Sequence, residues 1–448
     1  MALEKLGKKD IISRLSDDVL IHILSRLQTK DAVRTCVLSS RWRNLWTLIY
    51  NFYFDDGEDD PFGRCPNFEK FVSGVLSVCQ SKDVHNFYLD CTMISDDEIS
   101  HVIPWISFAV ERKVRNLNLK VDMDRAGVWL VRLPQSILTC SSLVELTMLS
   151  DCIFDIPDSS VVCFPSLKII FMSIRSPDGN LMKKLFRNCP ILEDLSIHGS
   201  NLKNKDELTF DINVPTLKMF RIWLGMEYYV SKHKYVITAR DLECLHIKDF
   251  TSSNFLVNDS PFLDVASLDV HEMPGAIDEM DELEVNRAME LLRGINCTKS
   301  LSLTAYTMEF LSLAIKDNMP TFPIMIDLEL GIKASFGWKL LPHFLSSSPN
   351  LESLTLEMNH RVECALQGFL PFESKSVPSC LRLHLKVIEI TDMRGICGEL
   401  EVIKYLLKNS EVLEKLEVNF ASSMKKKYLR RQILNYYRGS PTCEIKFI

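Results

Sequence analysis

Along the chain an apolar-x-x-apolar-x-apolar pattern returns at near-constant spacing. It occurs as Leu143, Leu146, Met148, then Leu167, Ile170, Met172, then Leu192, Leu195, Ile197, then Leu217, Phe220, Ile222, and then Leu242, Leu245, Ile247. The first residues of these five copies stand 24, 25, 25 and 25 positions apart. Looser copies precede them at Val84, Phe87, Leu89 and at Val114, Leu117, Leu119. Others follow at Val265, Leu268, Val270, at Leu301 and Leu303, at Leu328 and Leu330, at Leu351, Leu354, Leu356, at Leu385, Ile388, Ile390, and at Leu413, Leu416, Val418. Alternation within each copy is the period of a short strand whose apolar side chains share one face.

One such strand cannot bury its own apolar row, whereas neighbours stacked in a parallel sheet can. The fold class that follows is α/β, a leucine-rich-repeat solenoid whose curved parallel sheet forms a horseshoe. Helices or irregular turns between the strands are expected to supply its convex layer. Prolines at 165, 190, 215 and 349 stand just ahead of copies, where they end a preceding helix and restrict the entering chain. Acidic residues at 278, 279, 281, 282 and 284 mark an insertion over about 272–297, and a second insertion spans about 359–380.

Residues 14–46 show helical periodicity instead. Val19, Leu20, Ile23, Leu24 and Leu27 form a stripe, with Ser16 as expected N-cap and Asp17 and Asp18 in the first turn. A second helix beginning at Thr29 or Asp31 carries Val33, Cys36 and Val37. A third, from Ser39 or Ser40, carries Trp42, Leu45 and Trp46. Three helices this short bury too little to stand alone, so their apolar residues are expected to face the solenoid or a partner.

The wording of this segment adds to its periodicity. Leu15-Ser16-Asp17-Asp18-Val19-Leu20, Lys30-Asp31-Ala32-Val33-Arg34-Thr35 and Leu38-Ser39-Ser40-Arg41-Trp42-Arg43-Asn44-Leu45-Trp46 resemble the F-box of plant F-box proteins. Ser16 and Gln28 stand where that family usually has proline. The run Leu48 to Asp56 looks like the first strand leading into such proteins' repeats. The end, through Leu413-Glu414-Lys415-Leu416 to Ser440-Pro441-Thr442-Cys443-Glu444-Ile445, resembles their FBD region. The domain order that follows is an F-box at 9–47, a solenoid at 48–375 and an FBD region with terminal repeats and cap at 376–448.

The resemblance implies a non-catalytic substrate-receptor subunit of a Skp-cullin-F-box type ubiquitin ligase. The F-box would hold a Skp-type adaptor, and through it a cullin, and the repeats would hold a protein substrate. Adaptor contacts carried over by position are Leu15, Val19, Leu20, Ile23, Leu24, Leu27, Val33, Val37, Trp42 and Trp46, about half of them expected to touch the adaptor. The alternative is a scaffold whose F-box-like helices only cap the solenoid.

Reading the polar positions down the strands gives a concave column Thr147, Phe171, Ser196, Arg221, His246, Asp269, Ser302, Glu329, Thr355, Glu389, Glu417, and beside it His198, Trp223, Lys248 and His271. Aromatic and basic groups gather in its middle, so Phe171, His198, Met219, Arg221, Trp223, His246 and Lys248 are the candidate substrate patch.

Composition narrows the remaining classes. A net charge of -7 argues against nucleic acid as a partner. No apolar run reaches the roughly 18–20 residues of a membrane span, so no membrane partner is expected, and the setting is cytoplasmic and/or nuclear. The 14 cysteines lack a Cys-x-x-Cys pair and read as reduced, mostly buried thiols. Phosphate-cradling glycine loops, nucleophile elbows and zinc motifs are absent, so no cofactor is expected. Asp55 to Asp60 lacks calcium-loop spacing, and Cys244 and His246 read as core and surface neighbours. Lys425, Lys426, Lys427, Arg430 and Arg431 form a basic run, either a solvated helix face or an import signal.

Overall fold

A computed structural model describes residues 12–57, 67–93, 96–123, 131–149, 152–153, 162–174, 179–199, 208–225, 233–249, 253–270, 282–314, 319–333, 337–359, 376–421 and 426–448. The chain forms two compact units, Met1–Ile174 with Asn188–Leu192, and Arg175–Arg187 with Glu193–Ile448.

In the first unit, five parallel strands, Asn51–Asp55, Asn86–Met93, Asn116–Met123, Glu145–Met148 and Ile169–Ile174, pair in chain order. Their registers align two apolar rows, Phe52, Phe87, Leu117, Leu146, Ile170 and Phe54, Leu89, Leu119, Met148, Met172. All ten are buried, each worth about 1.5–3 kcal/mol of hydrophobic stabilisation. The Phe52 and Phe54 rings lie 6.4 and 5.8 Å from Phe87, and Phe108 meets Phe52 edge-on at 6.0 Å.

The second unit repeats the scheme in ten described strands, Asp194–Gly199, Met219–Leu224, Cys244–Asp249, Val265–Val270, Ser300–Leu303, Asp327–Lys333, Ser353–Asn359, Val387–Met393, Lys415–Phe420 and Glu444–Phe447. The leading residue of a copy lies just before its strand, where its N–H closes a turn. Leu192 donates to Cys189 O, Leu217 to Val214 O and Leu351 to Ser348 O. Pro190, Pro215 and Pro349 occupy the second position of these turns, where a fixed φ is pre-set for the geometry.

Several expectations change. The copy read as Val265, Leu268, Val270 is Leu263, Ala266, Leu268: Ala266 lies opposite Leu245 and Leu301, and Leu268 opposite Ile247 and Leu303. Alanine carries too little apolar surface to mark the register, and neighbouring valines take its place in the pattern. Beyond the helices and turns expected between copies, Thr209–Asn213, Lys234–Thr238 and Asn254–Asn258 form a separate parallel sheet. It is zipped by Phe210, Tyr235 and Phe255, whose centroids are 4.9 and 5.1 Å apart. In the acidic insertion a helix occupies Glu282–Gly294. Asp278, Glu279 and Asp281, and most of the insertion at 359–380, lie outside the described residues, as does His271.

The N-terminal module has α-helices at Asp17–Leu24 and Thr29–Arg34. Its third segment is a run of turns ending in the 3-10 helix Leu45–Leu48 rather than an α-helix. Bonds spanning three residues dominate there: Thr47 N and Thr47 Oγ1 both donate to Asn44 O, and Trp46 Nε1 donates to Arg43 O. Ser16 sits at the N-cap of the first helix, but its hydroxyl makes no cap bond.

This module seals the open edge of the first strand. Exposed edges invite pairing with other chains, and here groups of the N-terminal module accept from donors along that edge. Thr29 Oγ1 accepts from Tyr53 N at 2.8 Å, Ser25 Oγ from Tyr50 N at 3.3 Å, and Ser25 O from Asn51 Nδ2 at 2.9 Å. The amide chain continues inward, with Asn86 Nδ2 donating to Asn51 Oδ1 and Asn116 Nδ2 to Asn86 Oδ1.

Candidate protein-docking surfaces

The first helix of the N-terminal module is eight residues long and apolar on more than one face. Leu20 and Leu24 are 0% and 1% exposed, while Val19, Ile23 and Leu27 are 43%, 40% and 40% exposed. Trp42 is 8% exposed and its large ring sits inside the module; Leu15, Val33 and Trp46 are half-buried. Val37 is 82% exposed and its neighbour Leu38, absent from the sequence-based set, 64%. The ten candidates therefore divide. Leu20, Leu24 and Trp42 face the interior and shape the module, and Val19, Ile23, Leu27 and Val37 present apolar surface to solvent. Arg41 ties the two ends of the module together, donating to Asp17 Oδ1 at 2.7 Å and to Leu15 O at 2.6 Å. Exposed pairs of this kind contribute at most about 1 kcal/mol.

In the second unit the registers place six of the seven substrate candidates on three adjacent strands. Arg221 lies opposite Ser196 and His246, Trp223 opposite His198 and Lys248, and Met219 opposite Asp194 and Cys244. Alternation along the strands puts these side chains on one face. Phe171, half-buried, lies on the last strand of the first unit, opposite Thr147.

The corrected register also identifies partners for the cations. Arg221 Nη1 donates to Asp194 Oδ1 at 3.0 Å and to Ser196 Oγ at 3.1 Å. Asp269 belongs to the column of Lys248, which it meets at 3.0 Å, and not to that of His246. Trp223 receives the His198 ring edge-on with centroids 4.4 Å apart. The surface offers an aromatic pair flanked by two neutralised cations, suited to a mixed apolar and polar peptide rather than to a bare anion. Further along, Glu329, Thr355, Glu389 and Glu417 stand in register as the sequence implied.

Burial pushes the imidazoles of His198 and His246 below their ordinary range, and the nearby Arg221 charge adds to the effect at His246. A folded-state pKa below the unfolded value of about 6.5 means that the folded chain binds fewer protons there. This stability is complete above that pH and is lost as pH falls beneath it. The urea midpoint of the protein is expected to drop between pH 7.5 and 5.5, and the drop to shrink in a His198→Gln/His246→Gln variant. Equal drops in both proteins would remove the assignment.

Among the described residues no three His, Cys, Asp or Glu side chains group so as to hold a metal ion. No described helix is long and apolar enough to cross a membrane. Cys91, Cys140, Cys189, Cys380 and Cys443 are buried free thiols, Cys163 is an exposed one, and Cys36, Cys79, Cys244 and Cys297 are half-buried ones. Burial pushes the Cys189 thiol up to about 12 and that of Cys380 to about 11, which holds both as inert thiols. Cys244 is raised for the same reason, which does not suit a nucleophile.

Comparison with known proteins finds three family models in chain order. These are the F-box domain at 12–53, the LRR repeats of FBD-associated F-box protein At5g56370 at 102–259, and FBD at 373–418. F-box/LRR-repeat protein 13 of Arabidopsis thaliana is 30% identical over 425 residues, covering 93% of this chain and 91% of its own length. F-box/FBD/LRR-repeat protein At5g22660 of the same plant is 28% identical over 467 residues, covering 100% and 98%. F-box/FBD/LRR-repeat protein At4g26340 is 28% identical over 417 residues, covering 90% and 91%.

Proposed function

Because the chain belongs to the plant F-box/FBD/LRR-repeat family, we propose that it is the substrate-recognition subunit of a Skp-cullin-F-box type ubiquitin ligase. The observation that carries this reading is the row of exposed apolar side chains, Val19, Ile23, Leu27, Val37 and Leu38, on an F-box already anchored by Leu20, Leu24 and Trp42. A module that served only to seal the first strand would do so through Ser25 and Thr29, with no need of an exposed apolar row. The Skp-type adaptor covers that row and brings the cullin. No bond is made or broken by this chain: it holds a substrate near the loaded conjugating enzyme and raises its effective concentration there.

The reading is tested by mixing the full-length chain with a purified plant Skp-type adaptor and measuring co-elution. A 1:1 complex supports it. Absence of a complex with folded protein supports the second reading, a capped scaffold, which the bonds from Ser25 and Thr29 to the first strand favour.

In this reading the substrate lies on the face of His198, Met219, Arg221, Trp223, His246 and Lys248. Trp223→Ala/Arg221→Ala is expected to stabilise the substrate against turnover while adaptor binding persists. Unchanged turnover of the substrate would move the site elsewhere on the repeats.

A further inference from the structure

The helix Lys426–Leu434 near the C-terminus carries a charge opposite to that of the chain as a whole. Residues 426–448 hold six basic side chains and one acidic one, a local +5 in a chain of -7, which leaves -12 on the remainder. Lys426, Lys427, Arg430 and Arg431 line one hollow of about 570 Å³ together with Leu434. Spacings of three, four and five residues bring these cations onto neighbouring ridges of the helix.

Nearby basic groups outside the hollow are engaged: Lys446 meets Glu444 at 3.2 Å, and Arg438 donates to Cys443 O at 2.9 Å. The four at the hollow make no ion pair with any described residue. Arg430 is nevertheless held in place, its guanidinium over the Phe420 and Phe447 rings at 5.9 and 5.4 Å, as cation–π geometry favours. Exposed apolar groups accompany the charge, with Tyr428 69% and Leu434 47% exposed. Four unneutralised cations side by side repel one another, and an anionic occupant relieves that cost.

We propose that this helix face docks a short acidic segment of a partner protein, its carboxylates on the four cations and one apolar side chain on Leu434. Size and surroundings select this occupant. Nine helical residues span about 13 Å, the length of about four residues of extended chain. A nucleic acid longer than that would run on over a chain bearing the remaining negative charge, which repels phosphate. The inference does not rest on the ligase reading, since no adaptor enters it.

The test uses the full-length chain and a fluorescein-labelled hexapeptide of aspartates and glutamates with one central leucine, followed by fluorescence anisotropy at about 50 and 300 mM salt. A lysine hexapeptide and an oligothymidylate of equal charge serve as controls. Binding of the acidic peptide should weaken at least about tenfold in Lys427→Glu/Arg431→Glu and about threefold in Leu434→Ser, with unchanged circular dichroism. Both substituted cations are solvent-facing, so the fold tolerates the change. The proposal is overturned by equal binding to wild type and variant, by no binding, or by oligothymidylate binding as tightly as the acidic peptide.

Discussion

Replacing Ile23 and Val37 with aspartate is expected to weaken adaptor capture at least about 100-fold while leaving the far-ultraviolet circular dichroism and melting temperature of the chain nearly unchanged. Val37 is 82% exposed and Ile23 40%, so charging them removes far less packing than a charge at a buried position would. At a docked interface the same charges would be stripped of water without a partner. Two such central losses of about 1.5–2 kcal/mol each give that factor. Leu20→Asp is the instructive contrast. Leu20 has no exposed surface, and a carboxylate there would be buried unpaired, which destabilises the module itself. Loss of capture by Leu20→Asp would therefore report on folding, and loss by the Ile23/Val37 pair on docking. Capture that survives the pair would remove this row as the adaptor surface.

That distinction marks where sequence reading stops. The first helix announces itself through apolar residues at 19, 20, 23, 24 and 27, but on eight residues such a stripe is too broad to face one neighbour. Only the packing of this helix against the segment Leu45–Leu48 shows that Leu20 and Leu24 turn inward. The solenoid is legible because strand alternation and a leucine before the strand recur together every 24 or 25 residues, with a turn proline ahead of three of the five regular copies. Where one of these signals weakens, the register is lost: Ala266 hides the true copy between Val265 and Val270. That slip also concealed the Lys248–Asp269 pair, because a cross-strand partner is visible only once the register is known. The sealing role of Ser25 and Thr29 had no signature at all, since a hydroxyl that accepts from a distant strand leaves no periodic mark. The sheet of Phe210, Tyr235 and Phe255 left a faint one, an aromatic directly after a polar residue (Thr209, Lys234, Asn254) at 25- and then 20-residue intervals.

Two glycines give the other large effect, with opposite signs. Gly331→Ala is expected to cost about 2–4 kcal/mol, and Gly74→Ala to add about 0.5–1 kcal/mol. Glycine inside a strand is unfavourable unless another backbone comes close, and at Gly331 one does. A Cβ there would stand 2.3 Å from Ala305 N, 2.8 Å from Thr304 C and 3.0 Å from Ala305 Cα. These are backbone atoms where the strand Ser300–Leu303 passes into the helix Ala305–Ala314, and the junction is pinned. Thr304 N and Thr307 Oγ1 donate to Leu268 O, Val270 N donates to Thr307 Oγ1, and Thr304 Oγ1 donates to Asp269 Oδ1. The added methyl can be admitted only by breaking part of that set. Gly74, in the helix Phe68–Val78, has nothing within 4 Å of the point where a methyl would stand, so alanine there gains helix propensity without a clash. Thermal unfolding reads the sign at each site, and hydrogen exchange at 268–270 and 327–333 locates the loss for Gly331→Ala. Faster exchange confined to those strands is the expected pattern. Wild-type stability in Gly331→Ala would show that the helix start does not press on this strand in solution, and with it the pinning by Thr304 and Thr307 would fall.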